Sequence, residues 1–486
     1  MMDPVALPDP TALDDLRARL GPTRRPIGIR RIRQGPDVLD YLVDDVAEIR
    51  RDGDVLVVMD RTPITRRGAD LKATVVDMLK RRFPTRTAVL GPVGEELHAD
   101  EAASAELDGQ VSEVGCVVSV GSGTITDLAK DASMRPGGIP FVVVQTAASV
   151  NAFSDDMAVL LRDGVKRTVP SRWPDIVIAD VDVLASTPHT MHLAGFGELC
   201  SMFTAPADWY LATAIGMDDT FDAGIVALFR DGADAVLDSA SRMPSIASDP
   251  ALLEELAGRM ALTGIAMGVA GRTAPLSGTE HLASHLLDMR AAAGGSDTAL
   301  HGAQVGVASI VAATIWHDTL DCFDPTVLER SGIADDPATI ERLVRDAFDP
   351  LDPSGSMAEE CWRDVRRKVE RWSSMRSSIH AFIADWDRHR TALKQLVVPP
   401  DRLRNALVGA GAPSTVGELD PPAGAEVTRW AIAALPLMRD RFTVADLRFF
   451  AGDWGPATVA RLLESSAVLG ATVPDAPTQR TIKEVS

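Results

Sequence analysis

The residues best suited to chemistry lie in two stretches, 195–209 (GFGELCSMFTAPADW) and 278–302 (GTEHLASHLLDMRAAAGGSDTALHG). His281 and His285 are four apart, so on a helix they project from one face, one turn above the other. His301 follows a Gly-rich interruption and opens a second apolar run, HGAQVGVASIVAATIW. Three of the nine histidines thus fall within 21 residues. Glu198 can add a carboxylate to two imidazoles, and three such donors with positions left open suit a catalytic divalent ion. The spacing is weak evidence by itself. A helical His pair is more often half-buried or solvated than metal-bound, and HxxxH, unlike HExxH, brings no general base.

A second set of residues suits a nucleotide. Gly121-Ser122-Gly123 directly follows the apolar run CVVSV and precedes TITDLAKDA, a helix opening with Thr124 and bearing Asp127. Glycines there let a pyrophosphate approach the backbone, and the helix N-terminus supplies N–H donors and a positive dipole end. Only two glycines of the GxGxxG fingerprint are present, and a tight βα turn is the plain alternative. Asp60 ends the run VLVVM, where it can accept from a cofactor ribose or cap a helix. As a ribose acceptor it favours NAD over NADP, because it would repel a 2′-phosphate.

The elements that must position these residues come in two kinds. From Pro26 to about residue 188, short β-branched runs (VLVVM, TAVLGPV, CVVSV, FVVVQ and residues 175–179) alternate with amphipathic helices. That pattern predicts a doubly wound, mostly parallel α/β sheet. Beyond 188 the periodicity is helical throughout. The expected organisation is an N-terminal arm (1–25), a nucleotide-binding α/β domain (26–188), an all-α metal and substrate domain (189–400) and a helical C-terminal extension (401–486).

A net charge of −20 argues against nucleic acid as a partner. Cys116, Cys200, Cys322 and Cys361 form no CxxC pair and fit free thiols in a reducing cytoplasm. The N-terminus has Pro and Asp where a signal peptide needs an apolar core, and no run is long enough to span a membrane. His189 and His192 flank the GFGE turn with i, i+3 spacing and are expected to cap a helix or face solvent.

With these motifs in order, the chain resembles the iron-containing alcohol dehydrogenase and dehydroquinate synthase superfamily, and within it the sn-glycerol-1-phosphate dehydrogenases. The resemblance is carried by GSGTITDLAK, QTAASVNAFSD, DGVKRTVPSRWPD, GFGELCSMFTAPADW, GTEHLASH, LHGAQVGV, RLRNALVGAGAPSTVGELD and RDRFTVADLRFF, spanning residues 26 to 455. It implies NAD(H) or NADP(H) bound at Gly121, Ser122, Gly123, Thr124, Asp127, Thr146 and Ser149, with Asp60 nearby. It implies one divalent metal, Zn foremost with Ni, Fe or Mn as alternatives, on Glu198, His281 and His301. His285 matches a histidine beside the reacting centre and is the expected proton relay. Asn151, Lys166 and Arg167 are the expected substrate contacts, the last two for a phosphate, with Arg272 a weaker candidate. A small-molecule substrate and a homo-oligomer, dimer or larger, complete the picture.

Three positions depart from the family pattern. Glu198 stands for the usual aspartate, Asn151 for an aspartate that meets substrate hydroxyls, and Met202 for a lysine. Glutamate at 198 is also what the cyclising dehydroquinate synthase branch uses, which makes a metal- and NAD-dependent cyclase or lyase the alternative reading.

Overall fold

The computed structural model describes residues 12–21, 24–92, 97–134, 137–162 and 165–470. Its centre is a six-stranded sheet in the order β1 (Arg31–Gly35), β10 (Ile176–Asp180), β7 (Phe141–Gln145), β6 (Val114–Gly121), β2 (Asp54–Met59) and β5 (Thr85–Val89). Every pairing in it is parallel. Two antiparallel hairpins stand apart, β3 (Thr65–Arg66) with β4 (Ala69–Asp70), and β8 (Met157–Arg162) with β9 (Val165–Pro170). Periodicity does not announce the second hairpin, because MAVLL is a short continuous apolar run that could serve either structure.

The first helices are α1 (Ala12–Leu20), α2 (Leu42–Ile49), α3 (Leu71–Lys80), α4 (Glu101–Asp108), α5 (Gly123–Ser133) and α6 (Val181–Leu184). Both sheet faces are covered, and side-chain alternation shows how. Val55, Val57 and Met59 of β2 pack with Leu71 and Val75 of α3 and with Leu42 and Val46 of α2. Leu56 and Val58 point the other way, into the cluster holding Ile125 and Leu128 of α5. Chain direction explains the split. From β2 the chain crosses outward to β5, whereas from β6 it crosses the opposite way to β7. Right-handed crossovers then place α3 and α5 on opposite faces and open a crevice between the carboxyl ends of β2 and β6.

After Asp180 every described element is helical: α7 (His189–Leu199), α8 (Ala205–Ala214), α9 (Ala223–Arg230), α10 (Asp234–Asp238), α11 (Pro250–Ala270), α12 (Thr279–Ala293), α13 (His301–Cys322) and further helices to Ser466. These helices share one continuous apolar core with the α5 face of the sheet. None of the described helices is long and apolar enough to cross a membrane. α13 is apolar on every side, with Ile310, Ala313 and Trp316 all buried, as a helix surrounded by others must be.

Candidate active site

The metal-ligand candidates are brought together by a helix crossing made of glycines. A Cβ on Gly197 of α7 would lie 2.2 Å from the carbonyl oxygen of Gly302, and one on Gly302 of α13 would lie 2.0 Å from that of Ala194. On the flank, a Cβ on Gly195 would meet the Ala148 carbonyl at 1.9 Å. The two backbones therefore touch, which puts Glu198 at the end of α7 beside His301 at the start of α13. α12 packs alongside and contributes His281 and His285.

Glu198, His281 and His301 each offer one ligand atom, and these atoms all lie within 4.8 Å of one another. His281 Nε2 is 3.3 Å from Glu198 Oε1 and His301 Nε2 is 3.8 Å from Glu198 Oε2. Both rings are held from behind. His281 Nδ1 is 3.0 Å from Glu280 Oε1, and His301 Nδ1 is 2.9 Å from Ser284 Oγ. Outward-held Nδ1 with inward Nε2 is the arrangement that supports metal-bound imidazole. Burial opposes a charge on His281, but Glu198 and Glu280 on its two sides outweigh it and raise its pKa to about 9. A carboxylate with two imidazoles, one of them drawn toward a positive charge, fits a divalent cation. His285 lies at the rim, stacked against His301 with ring centroids 5.6 Å apart and planes at 25°.

Asn151 is part of this centre. Its Nδ2 donates to Glu198 Oε1 at 3.2 Å, so the neutral amide orients the longer carboxylate found here. Beneath α12, Asp208 of α8 accepts from Thr279 N at 2.7 Å and Thr279 Oγ1 at 2.8 Å, capping the helix that carries His281. Its other oxygen accepts from Val444 N at 2.8 Å, at the start of the helix Val444–Phe450. Burial and the neighbouring Glu280 push the Asp208 carboxyl up to about 7.

The candidate nucleotide turn sits where β6 ends. A Cβ on Gly121 would lie 2.6 Å from Ile125 Cβ, and one on Gly123 would lie 2.8 Å from Val150 Cγ2. Ser122 caps α5 without a side-chain hydrogen bond, leaving the cap to other partners. Thr124 lies in the first turn of the helix. Asp127 is buried in α5, 3.9 Å from Lys130 Nζ, which also pairs with Asp155. Thr146 and Ser149 lie buried after β7, and the Thr146 carbonyl accepts from Thr187 Oγ1 at 2.6 Å. Asp60 directly follows β2 across the crevice, but its carboxylate is not bare. It accepts from Thr62 Oγ1 at 2.6 Å and pairs with Lys72 Nζ. That ammonium weakens the repulsion of a 2′-phosphate on which the preference for NAD rested.

Other expectations fall elsewhere. Arg167 does not stand open for a phosphate: it pairs with Glu360 and, at 3.0 Å, with Asp364 on the helix Ser356–Ser374. Arg272 is 2.7 Å from Asp218. Lys166 lies on β9, with its side chain outside the described residues. Met202 is fully buried in the core, where a lysine would need a partner. His192 is fully buried rather than at the surface, and burial lowers its pKa to about 4. Glu280, Ser284 and Gln304 form the hydrogen-bonded backing of the candidate ligands, which the sequence did not single out. Glu280 adjoins a candidate ligand in sequence, the one cue that pointed to it.

Residues 33–188 match the family model described as iron-containing alcohol dehydrogenase. The chain is 31% identical over 319 residues to the glycerol-1-phosphate dehydrogenase [NAD(P)+] of Methanosarcina acetivorans, covering 63% of this chain and 84% of that protein. It is 26% identical to the enzyme of the same name from Bacillus licheniformis, covering 70% of this chain and 80% of the other. Among solved structures, a probable glycerol dehydrogenase from Sinorhizobium meliloti superposes with a TM-score of 0.55 at 15% identity, over 90% of this chain and 97% of that one. Glycerol dehydrogenase from Schizosaccharomyces pombe gives 0.54 at 13% identity, over 92% and 94%. At such identities the structural likeness speaks for the fold, and the sequence relatives speak for descent. The chain belongs to the iron-containing alcohol dehydrogenase family, in its glycerol-1-phosphate dehydrogenase branch.

Proposed function

We propose that this protein is a metal- and NAD(P)-dependent dehydrogenase that interconverts sn-glycerol 1-phosphate and dihydroxyacetone phosphate. The observation that carries the reading is the convergence of Glu198, His281 and His301 on one point, with His285 at its rim. In this reading residues 26–188 bind the nucleotide, 189–400 carry the metal and substrate, and 401–486 brace them. The cofactor set is Gly121, Ser122, Gly123, Thr124, Asp127, Thr146 and Ser149, with Asp60 and Lys72 at the ribose end. Zinc is the favoured ion, with Ni, Fe and Mn as alternatives that the same carboxylate and imidazole donors also suit. A homo-oligomer working in the cytoplasm completes the proposal.

A divalent ion in that donor set would supply Lewis-acid polarisation of a ketone oxygen, and the nicotinamide would supply hydride. The chain's own residues do the rest. Glu280 and Ser284 keep the two imidazoles aimed, and Asn151 keeps Glu198 aimed. His285, stacked on His301 at the rim, is placed to hand a proton to the nascent alkoxide oxygen or take it back. Its stacking on His301 fixes the ring plane.

The test is oxidation of NADH and NADPH by the purified protein reconstituted with Zn, Ni, Fe or Mn. Dihydroxyacetone phosphate, unphosphorylated dihydroxyacetone and no ketone would be compared. The expected result is turnover that needs both metal and phosphate. Turnover on the unphosphorylated ketone alone would overturn the substrate assignment. Tight metal and NAD binding without any ketone reduction would favour the cyclase reading instead.

A further inference from the structure

The donor and acceptor pattern behind His301 determines which of its nitrogens carries the proton. Gln304 is buried on α13, and its Nε2 faces two acceptors, Asp288 Oδ1 at 3.1 Å and the Ala299 carbonyl at 3.3 Å. That settles the orientation of the amide, because the reverse would set its oxygen against two other oxygens. Oε1 therefore faces Ser284, whose Oγ lies 2.6 Å away. An amide oxygen only accepts, so Ser284 spends its single hydroxyl proton on Gln304. The same Oγ lies 2.9 Å from His301 Nδ1 and has no proton left for it. The contact is a hydrogen bond only if Nδ1 carries the hydrogen.

We infer that Asp288, Gln304 and Ser284 form a relay of positioning residues that locks His301 as the Nδ1–H tautomer, with the Nε2 lone pair turned toward Glu198. This rests on the metal-centre reading proposed above. The relay is built to one polarity: each member has one role open to it once the previous one is set. Buried Ser284 and Gln304 have little water to take over those roles. His281 has its Nδ1 held more simply, by direct contact with the carboxylate of Glu280. Thus the two candidate ligands are prepared by different devices, one meeting a carboxylate directly and the other a neutral hydroxyl.

Removing Gln304 would release the Ser284 proton to turn back on Nδ1, favouring the Nε2–H tautomer, which cannot ligate. The experiment measures Zn²⁺ affinity by competition with a chromogenic chelator on the full chain, for wild type, Gln304→Leu, Ser284→Ala, the double variant and Glu198→Ala. Gln304→Leu is expected to weaken Zn²⁺ binding about 10–100-fold, and the double variant no further, since the two act as a unit. Ser284→Ala, a minimal change, serves if Gln304→Leu does not fold, and is expected to weaken binding more than threefold, on the order of a lost oriented contact. In parallel, ¹⁵N shifts of histidine-labelled, metal-free protein report the tautomer directly, with His301 as Nδ1–H in wild type. Affinity within twofold of wild type in both variants, or an Nε2–H His301 in wild type, would overturn the relay. A wild type that binds no Zn²⁺, or binds it equally well as Glu198→Ala, would instead overturn the metal centre itself.

Discussion

The two ends of the cleft are built from different materials. The proposed nucleotide end is a backbone device: a glycine turn after β6, the start of α5 and small buried side chains after β7. The proposed metal end is a side-chain device, in which three candidate donors from three helices are aimed by a ring of partners. A backbone device depends on a few residues being small, so changes there act through shape. A side-chain device depends on charge and direction, so changes there act through chemistry.

The sharpest way to break the comparison is at Glu198. Glu198→Ala or His281→Ala is expected to abolish metal binding and lower kcat/KM by about 10³-fold or more, since a ligand is lost outright. NADH binding, measured by fluorescence titration, should stay within a few-fold of wild type. Loss of both would mean that the two ends are one device. Next comes Gly302→Ala. With a Cβ 2.0 Å from the Ala194 carbonyl, α7 and α13 must separate. The expected cost is about 3 kcal/mol in denaturant unfolding, together with weaker metal binding. Unchanged stability would show that the crossing yields more easily than its geometry implies.

A third prediction uses pH. Metal can bind His281 only by displacing the proton that Glu198 and Glu280 favour, so apparent Zn²⁺ affinity should rise about tenfold per pH unit up to about pH 9. The sign is opposite for the metal-free fold. Its His281 pKa lies above the ordinary 6.5, so the ion pairing contributes fully below pH 6.5 and is lost as pH rises through about 9. Denaturation of metal-free protein across that window checks it, and a flat profile would refute the bridging charge. The smallest effects belong to the nucleotide end. Gly123→Ala meets only Val150 Cγ2, a side chain that can shift, so NADH affinity should fall about tenfold with metal content unchanged. Lys72→Met should raise KM for NADPH more than for NADH, because it leaves Asp60 uncompensated.

Much of this was legible from residues alone. The alternation of β-branched runs with helices gave the parallel sheet, because strands buried on both faces must be apolar throughout. Glu198, His281 and His301 were readable as a candidate cluster because two imidazoles and a carboxylate lie in short stretches that resemble a family motif, with Glu198 in a slot usually filled by aspartate. What escaped were groups whose role depends on the third dimension. Glu280 adjoins His281, which on a helix would place the two about a third of a turn apart, so spacing does not suggest that they interact. Ser284 and Gln304 look like ordinary polar residues on apolar helices until their hydrogen bonds are followed. Arg167 looked like a free cation because Glu360 and Asp364 lie almost two hundred residues away. Likewise, nothing in HTMH says that one histidine is at the surface and the other enclosed.

One carboxylate changes how the far end of the chain should be regarded. Asp208 receives the first turns of two helices, one bearing His281 and one from the C-terminal unit. The extension is thereby a keystone: it shares its footing with the floor of the metal centre. A chain cut before Val444 would keep every residue proposed to hold metal or cofactor, yet leave half of that footing empty. Its loss would be felt first as a loosened His281, well before the sheet with the nucleotide turn took notice.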